Sequence, residues 1–128
     1  MTVLVIDDED DIRLIVQMAL RASGITVMTA SGGRDGLALA RASVPDLIVL
    51  DVMMPEMDGY ATLDALRAEP ATAKVPVLML TAKNLAPAED ALRVRGVVGF
   101  IAKPFAPRDL VKRIKAALGD SPTGCQMP

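Results

Sequence analysis

Asp7, Asp8, Asp51, Thr81 and Lys103 occupy equivalent places in the chain. Each stands at the end of a short apolar run: Val3 to Ile6, Leu47 to Leu50, Val77 to Leu80 and Val97 to Ala102. Three carboxylates, a hydroxyl and an ammonium at matching positions offer hard oxygen donors and one cation. Gathered together, the acids repel: at an effective dielectric near 20, each pair ~4 Å apart costs on the order of 4 kcal/mol. Protonation or a hard divalent cation relieves that repulsion, and an all-oxygen set suits Mg2+ or Mn2+. The chain has no histidine. Imidazole metal sites, Ser-His-Asp triads and imidazole bases are therefore excluded, and any chemistry runs on carboxylates, lysine and hydroxyls.

Taken singly, each residue has a plainer reading. An Asp after a strand is commonly a turn former or a helix N-cap, and Asp8 alone fits capping as well as ligation. Thr at a strand end and Lys before Pro are ordinary. Glu9, Asp10 and Asp11 continue the acidic run, where a first-turn helix dipole accounts for them. The combination at one end of one sheet is the signal.

The elements that must position these groups alternate in type. The uninterrupted apolar runs read as strands buried on both faces, which implies a parallel sheet covered by helices. Thr26 to Ala30 is a weaker, β-branched strand. A first helix carries Ile12, Ile15, Val16, Ala19 and Leu20 on one face and ends at Gly24. A second starts at Ser31 to Gly33 with Leu37 and Ala40 inward. A third spans Gly59 to Ala68 with Tyr60, Leu63 and Leu66 on one face. Pro87 suits the first position of a fourth helix. The fifth opens at Pro107, carries Leu110, Val111, Ile114, Ala117 and Leu118, and closes at Gly119. Five β–α units imply right-handed crossovers. Ligands of open α/β sheets bind at the carboxyl ends of strands where the strand order reverses. With order 2-1-3-4-5, Asp7, Asp8 and Asp51 share that crevice, and Thr81 and Lys103 face them.

Length and charge set the outer bounds. The 128 residues are 52% hydrophobic, enough for one domain with its own core. Residues 1–119 read as that domain and 120–128 as a disordered tail. The single cysteine, Cys125, fits a reducing compartment. No apolar run approaches the ~18 residues of a membrane span, and the N-terminus lacks a signal-peptide pattern. A cytoplasmic location without membrane contact is expected. The net charge is −2, which argues against direct nucleic-acid binding. The charge is uneven, with 6 basic and 12 acidic residues in 1–82 against 8 and 4 in 83–128. Arg108, Lys112 and Lys115 could face an acidic partner.

Four segments, in order and at this spacing, resemble the receiver domains of two-component response regulators: Val3-Leu4-Val5-Ile6-Asp7-Asp8-Glu9, Leu50 through Gly59, Leu80-Thr81-Ala82 and Lys103-Pro104-Phe105. The resemblance covers roughly residues 2 to 118. It implies a flavodoxin-like, doubly wound α/β fold: a five-stranded parallel sheet of order 2-1-3-4-5 with five helices. It implies that Asp51 accepts a phosphoryl group, and that Asp7, Asp8, Asp51 and the Met53 backbone carbonyl bind Mg2+ or Mn2+. Thr81, the Ala82 backbone amide and Lys103 would meet the phosphoryl oxygens, and Phe100 would be the aromatic switch. Met53 and Lys83 would tune water access. The Lys103-Pro104 bond would be cis. A sensor histidine kinase or histidine phosphotransfer protein would be the donor. Output would pass to a protein partner or effector domain through the fourth helix, fifth strand and fifth helix.

Two departures qualify the family pattern. Val98 and Gly99 stand where many DNA-binding regulators have acids that pair in a symmetric dimer, so a homodimer is possible without that support. No effector domain follows in this chain, which favours a stand-alone receiver over one excised from a larger regulator. Rival readings are a receiver-like interaction module that takes no phosphate and an aspartate-nucleophile phosphatase. The phosphatase would want a second acid where Met53 stands. A flavodoxin-like electron carrier would want a hydroxyl- and glycine-rich loop where Asp7 to Asp11 stand.

Overall fold

The computed structural model describes residues 1–82 and 96–119. In chain order the elements are β1 (Thr2–Ile6), α1 (Asp10–Ala22), β2 (Thr26–Ala30), α2 (Gly33–Ala42), β3 (Leu47–Asp51), α3 (Gly59–Ala68), β4 (Val77–Ala82), β5 (Val97–Lys103) and α4 (Pro107–Ala117). The last is the helix expected as the fifth. The helix expected from Pro87, Lys83 and the tail 120–128 lie outside the described residues.

The strands form one parallel sheet of order β2-β1-β3-β4-β5. The pleat sends alternate side chains to opposite faces. Leu4, Ile6, Ile48, Leu50, Val77 and Met79 pack on one side with Leu37, Ala40, Leu63 and Leu66 of α2 and α3. Val3, Val5, Leu47, Val49, Leu78 and Leu80 pack on the other with Val16, Leu20, Leu110 and Ile114 of α1 and α4. Both faces of β1 and β3 are dry, which is why those strands read as unbroken apolar runs. Each such buried Leu, Ile or Val contributes roughly 1.5–3 kcal/mol of transfer free energy, and the sum fixes the register.

That register puts the strand ends level. Ile6 pairs with Leu50, Asp51 with Leu80, Thr81 with Ala102 and Ala82 with Lys103. One irregularity, between Val77 and Leu78, leaves Val98 unpaired on β5 and exposed.

One helix-face expectation is corrected. Ile15 is exposed, beside the exposed Leu14 and Met18. Val16 and Leu20 alone of α1 are fully buried. The apolar stripe of α1 is wider than the strip of sheet it covers.

Candidate functional site

Asp7 follows β1, Asp51 ends β3, Thr81 lies near the end of β4 and Lys103 ends β5. The level strand ends therefore bring these side chains to one rim. Carboxylate oxygens of Asp7, Asp8 and Asp51 all lie within 4.8 Å of one another. Asp7 and Asp51 are buried and Asp8 is exposed. Lys103 Nζ lies 2.9 Å from Asp7 Oδ2, 3.2 Å from Asp51 Oδ2 and 3.9 Å from Glu9 Oε2. Thr81 is 3% exposed at the same rim. The Lys103-Pro104 bond is cis.

The loops supply the remaining constraints. Asp7 Oδ1 accepts from the Glu9 amide at 2.9 Å, and Asp51 Oδ1 accepts from the Met53 amide at 3.3 Å. The N-cap residue of α1 is Glu9, and no side chain caps that helix. Asp8 is therefore not the cap, and none of the described residues holds its carboxylate. After Asp51, Glu56 takes a left-handed φ of 66°, a conformation that costs a non-glycine residue about 1 kcal/mol or more. Asp58 Oδ1 then caps α3 by accepting from the Ala61 amide at 2.8 Å.

Electrostatics follow from the crowding. Burial, then the charge of Asp7, push the Asp51 carboxyl up from 3.8 to about 7, against the opposing pull of Lys103. For Lys103, burial disfavours the ammonium, but hydrogen bonds and charges from Asp7 and Asp51 outweigh it and hold its pKa above the ordinary value. Lys103 thus acts as an internal counter-cation to two buried acids. Asp7 Oδ2, wholly buried, has the Lys103 ammonium at 2.9 Å as its one partner among the described residues. Three clustered acids against one ammonium leave a net negative charge that a further cation would balance.

Two residues join the site that the sequence reading did not place there. Glu9 contributes a fourth carboxylate near Lys103. Arg13 reaches back from α1, and its Nη1 donates to the Asp7 carbonyl oxygen at 2.7 Å. The available signal was spacing: Arg13 stands one helical turn beyond Asp10, with which it pairs. Phe100 is half-buried and packs against the β1–α2–α3 side of the core. Met53 is 60% exposed beside Asp51.

Comparisons with known proteins agree with this fold. The family described as "Response regulator receiver domain" matches residues 3–115. The chain is 42% identical over 120 residues to "Probable transcriptional regulator ycf27" of Porphyra purpurea, covering 91% of this chain and 46% of that protein. It is 42% identical over 120 residues to the "Alkaline phosphatase synthesis transcriptional regulatory protein PhoP" of Bacillus subtilis, covering 91% and 48%. The chemotaxis protein CheY4 of Vibrio cholerae superposes with a TM-score of 0.83 at 34% identity, covering 91% of this chain and 97% of that one. The chain thus spans about half the length of these curated relatives. The expectation of no nucleic-acid contact does not stand beside two relatives named as transcriptional regulators. The charge of these 128 residues carries no information about the other half of such proteins. None of the described helices is long and apolar enough to cross a membrane. With the family matching almost end to end and the strand order, level strand ends and acidic rim all in place, this chain belongs to the response regulator receiver domains of two-component systems.

Proposed function

We propose that residues 1–119 form a phosphorelay receiver that takes a phosphoryl group onto Asp51 from a phosphohistidine donor. The observation that carries this reading is the assembled rim: three acids within 4.8 Å, with Lys103 against two of them. In the first step an Asp51 carboxylate oxygen attacks the donor phosphorus in line. The O–P bond forms, the P–N bond breaks, and the imidazole nitrogen keeps the electron pair and takes a proton. In the second, water attacks the same phosphorus, the acyl phosphate O–P bond breaks, and inorganic phosphate leaves with Asp51 restored. The chain lacks histidine, so the donor is a sensor kinase or a histidine phosphotransfer protein.

The residues fit a divalent cation. Asp7, Asp8, Asp51 and the Met53 carbonyl would hold Mg2+ or Mn2+, and the observation that favours it is three carboxylates within 4.8 Å of one another sharing a single ammonium. Such a cation, when bound, neutralises the acids and the transferring phosphoryl oxygens. Lys103 already sits where it can pair with those oxygens. The Thr81 hydroxyl and the Ala82 amide, at the end of β4, would meet those oxygens as well. Thr81 moving toward the phosphoryl group would let Phe100 turn inward, reshaping the face of β5, α4 and the segment between β4 and β5. That face would meet a protein partner or a linked effector domain in the cytoplasm.

The test is incubation of the full chain with Mg2+ and acetyl phosphate, then intact mass spectrometry. One added phosphoryl is expected, absent after chelation and absent in Asp51→Asn. A wild type that gains no mass would make the chain an interaction module without phosphorylation. Release of phosphate over many turnovers from unrelated phosphoesters would make it a phosphatase.

A further inference from the structure

We propose that Arg13 is a positioning residue that sets the geometry of the Asp7–Asp8 pair for cation binding. The inference rests on the reading of those acids as a divalent cation site. The Arg13 side chain is only 19% exposed, although it sits on the first turns of a surface helix. Its Nη1 donates to the Asp7 main-chain oxygen at 2.7 Å, and its Nη2 pairs with Asp10. The Arg13 amide donates to the Glu9 carbonyl at 3.1 Å. The side chain therefore folds back over the turn from which its own helix starts, and ties that turn to the end of β1.

The oxygen it holds belongs to the peptide that joins Asp7 to Asp8. A peptide is planar, so fixing that oxygen fixes the plane from which the Asp8 backbone departs. The consequence differs for the two acids. Asp7 has its own anchors: its amide donates to the Ala30 carbonyl at 3.1 Å, Oδ1 accepts from the Glu9 amide, and Oδ2 faces Lys103. Asp8 has no such anchor among the described residues, and its carboxylate is exposed. Its aim is inherited from the backbone, which the Arg13 side chain holds at the peptide before it and the Asp7 side chain, through the Glu9 amide, at the peptide after it. Groups that orient metal ligands without touching the ion typically change affinity by 10–100-fold when removed.

A charge effect and a positioning effect have opposite signs here. Removing a cation near a cluster of acids raises the negative potential and tightens Mg2+ binding. Releasing the Asp7–Asp8 peptide lets Asp8 wander and weakens it. The experiment is a Mg2+ titration of the full-length chain by calorimetry and by backbone amide NMR, on the wild type, Arg13→Met and Arg13→Lys. Arg13→Met keeps an unbranched apolar stem and removes donor and charge. Its dissociation constant is expected to rise on the order of tenfold, with the Asp8 and Glu9 amides losing their sharp response. Arg13→Lys, which keeps the charge and one donor, is expected to recover part of the loss. Unchanged or tighter Mg2+ binding in Arg13→Met, with the variant folded, overturns the proposal while leaving the cation site intact. A wild type that takes up no Mg2+ overturns the underlying reading as well. Should Arg13→Met fail to fold, guanidinium NMR on the wild type decides. Slowed rotation at Arg13 supports the restraint, and free rotation removes it.

Discussion

Asp51 is held where its charge is unwelcome, and that has a thermodynamic signature. Unfolded, the group titrates near 3.8; folded and without a metal ion, burial and Asp7 push it to about 7. Between those values the folded state binds more protons than the unfolded state, so stability falls as pH rises through that window. Below about pH 4 both states are protonated and the effect vanishes. Denaturant titrations of metal-free protein are expected to show this loss between pH 4 and 7. Asp51→Asn is expected to flatten it and to gain about 2 kcal/mol at pH 8, less than the full linkage because Lys103 loses one of its partners. A flat wild-type profile would contradict the crowding. At the same rim Met53, 60% exposed, borders the water side of the site. Met53→Ala is expected to speed dephosphorylation several-fold, read as phosphate release after the donor is removed; an unchanged rate would argue against shielding.

The elements aim these residues by close backbone contact. Gly59 begins α3 directly against the end of β3: its amide donates to the Val52 carbonyl at 2.9 Å, and an added Cβ would lie 2.8 Å from the Val52 Cα and closer still to the Asp51 carbonyl oxygen. Both obstacles are main chain and cannot swing aside. Gly59→Ala is expected to cost about 1–3 kcal/mol and to lower the phosphorylation rate by shifting Asp51, with urea denaturation and phosphoryl uptake as the two readouts. Wild-type values for both would show that the β3–α3 junction has slack. The strands and their ends were legible because each reactive residue terminates a run of apolar ones, so pattern and chemistry marked the same boundary. The exposed flank of α1 was not legible: Ile15 satisfies the helical period as well as Val16 does, and periodicity cannot say how wide a strip the sheet will cover. Arg13 was hidden for a similar reason, since an arginine on the first turns of a helix reads as solvated until its contact with a main-chain oxygen is seen.

At the scale of the molecule, the sheet separates two cores among the described residues. Phe100 packs on one side, while Ile101 of the same strand packs on the other. A shift of β5 is thus felt on both faces. Arg113 of α4 bears on this strand, donating to the Phe100 carbonyl at 3.4 Å. With a phosphoryl mimic bound, the wild type is expected to show backbone shift changes from Thr81 through Phe100 to Arg113, and Thr81→Ala only those next to the mimic. Equal responses in both would remove Thr81 from the route. No sequence pattern could have specified Arg113, because its contact depends on Gly99 leaving space where a Cβ would crowd the guanidinium.

The reactive groups crowd one rim, and each central strand runs five or six residues away from it. At about 3.3 Å per residue, the opposite rim is roughly 16 Å distant. There Asp46 takes the Thr2 amide at 2.7 Å and Val44 is exposed. A fluorophore or tether grafted at Val44 would stand beyond the reach of the acids, leaving their chemistry untouched while it reports tumbling, capture or surface immobilisation.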